Sequence, residues 1–287
     1  MKDISIRKIN TTPQELNLSE SFSIRDIQSL LAGNDMIQEL HRHDFFYILA
    51  LEKGLGRHEI DFIPYEVNDY CIFFMKPGQV HQLELKANCT GFLVEFDASF
   101  YYPDESVSNQ RLKKASSKNL CRLEVNRFEK ILSILTYIFQ EFTTKQTGYI
   151  EIIKANLGIF FIEFVRQSKD PSNISVNSNS YAQERLEDFL ELLNIHILTK
   201  KQVSHYADLL NLSQYQLNAI TKSTLNKTCS ELINEQIILE SKRQLLATSK
   251  QVNQIAFHLG YDDVSYFIRF FKKHTGHSPE VFRDNYK

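Results

Sequence analysis

Between Tyr206 and Lys272 the chain repeats itself. The run Tyr206-Ala207-Asp208-Leu209-Leu210-Asn211-Leu212-Ser213, followed by Leu217 and Lys222, returns as Ile255-Ala256-Phe257-His258-Leu259-Gly260-Tyr261-Asp262, followed by Phe267 and Lys272. Ala207 to Ala256 and Leu210 to Leu259 are 49 apart, whereas Leu217 to Phe267 and Lys222 to Lys272 are 50 apart. One residue is therefore inserted in the second copy's turn, between helices, where a change of length is tolerated. A repeat of this kind is one supersecondary unit used twice.

Each copy has the logic of a helix-turn-helix. The alanine lets two helices approach closely, and Asn211 or Gly260 stands where a left-handed residue ends the first helix. Ser213 or Asp262 is placed to cap the second helix, and Ser213 with Gln216 three residues on is a capping-box pattern. The second helix of such a unit presents its N-terminal outward residues to the DNA major groove. In the first copy these are Gln214, Tyr215, Gln216, Asn218 and Lys222, with Ser213 at the cap. In the second they are Asp263, Ser265, Tyr266, Arg269, Lys272 and Lys273, with Asp263 read as a cap or orienting residue because phosphate repels it.

A single such unit could be no more than a packed pair of helices. Two copies and the segment between them favour DNA. Thr228 and Glu231 form a second capping-box pattern opening a helix to about Ala247. Twenty residues span roughly 30 Å, close to the ~34 Å turn of B-DNA, so one chain could lay both second helices into successive major grooves on one face. Phe257, Phe267, Phe270 and Phe271 recur at helical spacing and are assigned to the core.

At 287 residues the chain is long enough for two domains. Its 33 Lys and Arg against 35 Asp and Glu, with 43% hydrophobic residues, exclude a disordered, collagen-like or supercharged chain. The net charge of −2 hides an asymmetry. Residues 200–287 hold 12 Lys and Arg against 8 Asp and Glu, and the remainder 21 against 27, so a polyanion partner would meet the C-terminal part. Cys71, Cys89, Cys121 and Cys229 form no CxxC pair and read as buried free thiols. Residues 1–10 show no apolar h-region and no stretch reaches about 18 apolar residues, so the expected location is the cytoplasm, away from the membrane.

From Ile24 to Phe96 short apolar runs alternate with turn signals. Phe45–Leu51, the alternating His58, Ile60 and Phe62, then Cys71–Met75, Leu83 with Leu85, and Phe92–Phe96 read as six or so strands of a small β-barrel or jelly roll, punctuated by Pro64 and by Pro77-Gly78. The period then changes. Phe128, Ile131, Leu132, Leu135, Phe139 and Phe142, followed by Ile153, Leu157, Phe160, Phe161 and Phe164, predict two amphipathic helices that pack either on the barrel or on a second copy. Ser168–Ser180 is polar and reads as a linker, so the expected organisation is 1–167, linker 168–180, and 181–287.

Ile255-Ala256 through Leu259-Gly260-Tyr261, Ser265-Tyr266-Phe267 through Arg269-Phe270-Phe271-Lys272-Lys273, and Thr275-Gly276-His277-Ser278-Pro279 with Phe282-Arg283 resemble the AraC/XylS family of bacterial transcriptional regulators. Residues His41-Arg42-His43-Asp44-Phe45, His58-Glu59-Ile60-Asp61-Phe62 and Lys76-Pro77-Gly78-Gln79-Val80-His81 resemble that family's cupin-like sensor domain. The resemblance implies an α+β chain of two domains: an N-terminal cupin-like jelly roll with a helical hairpin for dimer contact, and a seven-helix, all-α double helix-turn-helix domain. It implies no enzyme and no cofactor, but a transcription factor, an activator, with promoter DNA, a small effector, RNA polymerase and a second copy as partners.

Lys222, Lys272 and Lys273 are expected on phosphates, and Arg269, Gln216 and Asn218 on base edges. Two departures stand out in the first copy: Ala219 replaces the usual basic residue and Thr221 the usual aromatic one. His41, His43 and His81 are candidates for the effector pocket. Imidazoles two apart on a strand share a face and could bind a metal, but the cupin pattern wants a carboxylate about four residues later, where Phe46, Tyr47 and Ile48 stand. No metal is therefore expected. A metal-dependent cupin enzyme fused to a DNA-binding domain and a ligand-free dimeric regulator stay open. So does a hydrophobic ligand among Phe46, Phe62, Phe73 and Phe74, which otherwise are plain core.

Overall fold

Apolar runs without alternation arise where a strand is buried on both faces, and three such strands organise the N-terminal half. A computed structural model describes residues 6, 7, 9, 21–101, 106–167 and 180–286. The described chain divides into two compact units, one within residues 4–174 and one within 175–287. The expected linker, apart from Ser180, lies outside the described residues.

The first unit contains ten strands among the described residues: β1 (Ile6–Arg7), β2 (Phe22–Asp26), β3 (Met36–His43), β4 (Phe46–Lys53), β5 (Gly56–Ile60), β6 (Ile63–Val67), β7 (Cys71–Met75), β8 (Val80–Leu85), β9 (Thr90–Phe96) and β10 (Leu120–Arg122). They form two five-stranded sheets, in the orders β1-β3-β8-β5-β6 and β10-β7-β4-β9-β2. Among the described strands, only the β1–β3 pairing is parallel. Between the sheets lies one core, with Ile60, Leu83 and Leu85 from the first sheet meeting Leu49, Phe73 and Leu93 from the second.

Helices α1 (Ile27–Leu31), α2 (Ala98–Tyr101), α3 (Ser106–Ala115), α4 (Val125–Thr144) and α5 (Tyr149–Gln167) complete the unit. The stripes of α4 and α5 are buried on the outer face of the second sheet, where Phe128, Leu135, Phe160 and Phe161 join Ile48, Phe74 and Val94. Between the two destinations the sequence left open, the protein's own sheet takes the stripe. This second layer explains the continuous apolar runs: in β4, β7 and β9 successive side chains enter opposite cores.

The same alternation corrects the proposed apolar lining. Phe73 points between the sheets, but Phe74 and Phe46 belong to the helical side. Phe62 is half-buried in a turn at φ 69°, outside the strand that was to carry it. Pro64, expected to break the chain, sits in β6 opposite Glu59. β6 is an edge strand, where a missing ladder donor is tolerated.

The second unit has seven helices among the described residues: α6 (Ser180–His196), α7 (Val203–Leu209), α8 (Gln214–Leu225), α9 (Cys229–Ala247), α10 (Val252–His258), α11 (Val264–Thr275) and α12 (Pro279–Asn285). Both copies close their first helix identically. Leu212 N–H donates to Ala207 O and Tyr261 N–H to Ala256 O, each at 2.9 Å, across Asn211 and Gly260 in the left-handed region at φ 53° and 71°. At Gly260 a side chain would meet Leu198 O at 2.6 Å, so glycine is required there for space as well as for conformation.

The extra residue therefore lies after Tyr261. In consequence Asp263, and not Asp262, caps α11, its carboxylate accepting from Ser265 N–H at 2.7 Å and Tyr266 N–H at 3.2 Å. The connecting helix α9 starts at a full capping box of Thr228 and Glu231. Its 19 residues span about 28 Å. Arg283 fastens its far end, donating to Leu245 O and Lys250 O at 2.7 Å each. Ser278 caps α12 with Pro279 at its first position.

Candidate functional site

Helix α8 is held from below by Leu217, Ile220 and Thr221, all buried. Its opposite face carries exposed Gln214, Tyr215, Gln216 and Lys222, with Tyr215 83% exposed. At its start Ser213 Oγ accepts from Gln216 N–H, and Gln216 Oε1 accepts from Ser213 N–H at 2.9 Å. Asn218 is half-buried and bonded at both ends: Oδ1 accepts from Cys229 N–H and Nδ2 donates to Gln214 O, both at 3.0 Å. It ties α8 to the first turn of α9. Thr221, where an aromatic residue was expected, is a buried core residue beside Cys229.

Helix α11 repeats the plan with stronger charge. Phe267 and Phe271 are fully buried, while Ser265, Tyr266, Arg269, Lys272 and Lys273 are exposed. Arg269 is 71% exposed, and its nearest ion-pair partner, Asp263, stands off at 3.9 Å, so the guanidinium is available to a ligand. Lys272, Lys273 and His274 occupy the last turn, where cations also suit the helix dipole. Phe257, assigned to the core from its spacing, is 58% exposed on α10. Phe270 is half-buried against Tyr261.

The histidines of the first unit form a second constellation. His41 and His43 leave the same face of β3, and His41 pairs in register with His81 on β8. Gly78 N–H, from the Pro77-Gly78 turn, donates to His43 O at 2.8 Å and fixes the end of β3 against the start of β8. One ring nitrogen from each of His41, His43 and His81 lies within 4.8 Å of the others. His58, which the sequence placed on the Ile60 face of its strand but not in the site, is the fourth member. Its Nε2 lies 2.8 Å from His81 Nδ1. All four are buried between the sheets, with Tyr47 stacked on His43 and Phe73 against His58. Burial, aided by His43 and His41, drives the His58 ring down to about 3, so it is neutral at physiological pH.

Comparison with known proteins bears on both constellations. Residues 206–285 match the family model described as a helix-turn-helix domain, and residues 33–106 match the AraC-like ligand binding domain. The chain belongs to the AraC family of transcriptional regulators. Relatives of this AraC-family chain include the HTH-type transcriptional activator RhaS of Escherichia fergusonii, 22% identical over 85% of this chain and 86% of that one. The uncharacterized HTH-type transcriptional regulator YfiF of Bacillus subtilis is 23% identical over 86% and 79%. Among solved structures, ToxT from Vibrio cholerae O395 aligns at 16% identity over 92% of this chain and 97% of that one, with a TM-score of 0.43. As an AraC-family regulator the chain carries its DNA-binding helix-turn-helix in the second unit and its ligand-binding domain in the first.

Proposed function

We propose that this regulator activates transcription by laying α8 and α11 into successive major grooves of promoter DNA, under the control of a small effector held by the N-terminal domain. The two equivalent turns, each followed by a helix with an exposed polar and cationic face, carry this reading. Residues 181–287 act as the DNA-binding domain, 1–167 as the sensor and dimer-forming domain, and 168–180 as the linker. Lys222, Lys272 and Lys273 take phosphates; Arg269 and the free end of Gln216 take base edges; Gln214, Tyr215, Ser265 and Tyr266 line the two faces. Ser213, Asp263 and Asn218 serve the site by capping and by joining helices.

Activation is supported by the RhaS relative, a transcriptional activator, and RNA polymerase is the further partner that activation requires. No helix among the described residues is long and apolar enough to cross a membrane, which fits action on DNA in the cytoplasm. Selection of duplexes from a randomised pool at physiological salt tests the reading. Enriched sequences are expected to hold two different short boxes about one helical turn, ~10 base pairs, apart. No enriched sequence, or only a single short box per chain, would contradict it.

A further inference from the structure

We propose that Lys201 is a positioning residue that clasps the two helix-turn-helix halves of the DNA-binding unit together and so sets the spacing of the two DNA boxes that the chain accepts. The proposal rests on the two-box reading above and names the residue that makes it selective for spacing.

The two turns of the repeat differ in one respect. Both need a left-handed residue, and the first takes Asn211, a residue type that tolerates that region. The second takes Gly260, where a Cβ would meet Leu198 O at 2.6 Å and Lys201 Nζ at 2.7 Å. Conformation alone would admit asparagine in both turns, whereas this close approach admits only glycine. Leu198 and Lys201 belong to the connection between α6 and α7, in the first half, and Gly260 to the turn between α10 and α11, in the second. Helices α6, α7 and α8 pack on α9 from one half, and α10, α11 and α12 pack on it from the other. The Lys201 contact joins the halves directly, beside the helix they share.

Both ends of the clasp are fixed. Buried Tyr206 donates its hydroxyl hydrogen to Lys200 O at 2.7 Å, and Lys200 N–H donates to His196 O at 2.7 Å, so the backbone leading into Lys201 is held on the first half. Lys201 Nζ donates to Gly260 O at 3.1 Å and to Leu198 O at 3.5 Å, and stands 5.1 Å from the centre of the Tyr261 ring. Burial pulls this ammonium below the usual lysine range, with Asp262 opposing the shift. A partly desolvated cation makes stronger hydrogen bonds than one in water. The Tyr261 ring in turn meets Tyr266, Phe267 and Phe270 of α11, at 5.9, 5.3 and 6.0 Å between centroids. Lys201 thereby holds the second reading helix, through Tyr261, against the half that carries α8.

Moving one box by one base pair displaces it by about 3.4 Å along the DNA axis and turns it by roughly 35°. A hydrogen bond cannot follow a displacement of that size, so the clasp must break before both helices can read the altered duplex. Loss of a hydrogen bond to a charged group weakens an equilibrium by about tenfold or more.

The test uses the full chain, as wild type and as Lys201→Met, which keeps the stem and removes the donor and the charge. Binding is measured on the selected two-box duplex, on duplexes with one base pair added or removed between the boxes, and on a single-box duplex. The wild type is expected to lose about tenfold on either altered spacing and Lys201→Met about threefold or less, with equal single-box binding by the two proteins. Lys201→Arg, which keeps a cation, should retain more of the preference than Lys201→Met. An equal weakening on every duplex would make Lys201 a phosphate contact and overturn the proposal. A lowered unfolding temperature with unchanged spacing preference would make its role merely structural and overturn it too.

Residual dipolar couplings of the DNA-free protein give a second readout. The amides of α8 and α11 should fit one alignment tensor in the wild type and two in Lys201→Met; one tensor in both proteins, or two in both, would overturn the proposal. If the wild type prefers two boxes no more than one while the couplings behave as expected, the two-box reading fails and the clasp stands. If Lys201→Met does not fold, Lys201→Gln takes its place, and unfolding of both would overturn the proposal, because each half packs on α9 without the clasp.

Discussion

Phe271→Ala is expected to destabilise the C-terminal unit by about 3–5 kcal/mol, a large share of the 5–15 kcal/mol that holds a typical domain. The ring is fully buried and lies 5.5 Å from Phe282 of α12 and 6.1 Å from Phe267 of its own helix. Its removal leaves a cavity under the face that carries Arg269, Lys272 and Lys273, so DNA binding should fall along with stability. Thermal unfolding followed by far-UV circular dichroism, with duplex binding on the same sample, checks this. A loss below about 1 kcal/mol would mean that α11 is not seated on Phe271.

Arg269→Ala is expected to weaken binding to the selected duplex by about 1–3 kcal/mol with no change in the unfolding transition, because the side chain is exposed and only loosely paired with Asp263. The loss should concentrate at one base pair of one box, visible as relaxed preference there. Lys272→Ala and Lys273→Ala should act differently, weakening all duplexes alike and each lowering the slope of log K against log salt by about 0.9. A uniform loss for Arg269→Ala would reassign it to a phosphate.

The contrast between these residues shows what the sequence could display. A repeat with an offset that changes from 49 to 50 located both turns and both second helices, because a left-handed residue and a small alanine are local requirements of the turn. The exact cap was not local in this sense. Asp262 and Asp263 are adjacent carboxylates, and only the shared hydrogen bonds of Leu212 and Tyr261 show that the insertion precedes Asp263. Asn218 looked like a reading residue because it faces outward by helical period, whereas the nearby start of α9 claims its amide. Phe257 likewise has core spacing, but α10 is too short for its period to define which turn is covered.

In the N-terminal half, the central strands were legible as apolar runs; the edge strands β1 and β10, of two and three residues, were too short for a pattern, and Pro64 hid the edge strand β6. Phe73 and Phe74 could not be separated until the helical layer was in place, since a strand buried on both faces has no polar side to orient it. His58 carried its signal in plain alternation with Ile60, but its partnership with His81 depends on β5 and β8 being neighbours, which no local spacing reveals.

The most direct measurement is fluorescence anisotropy of the full chain with the DNA upstream of its own gene against a scrambled duplex, at low and at physiological salt. Tighter binding to the upstream duplex is expected, and it should survive physiological salt, because base contacts from α8 and α11 add to the screened phosphate contribution. Equal binding to both duplexes that vanishes at physiological salt would contradict it.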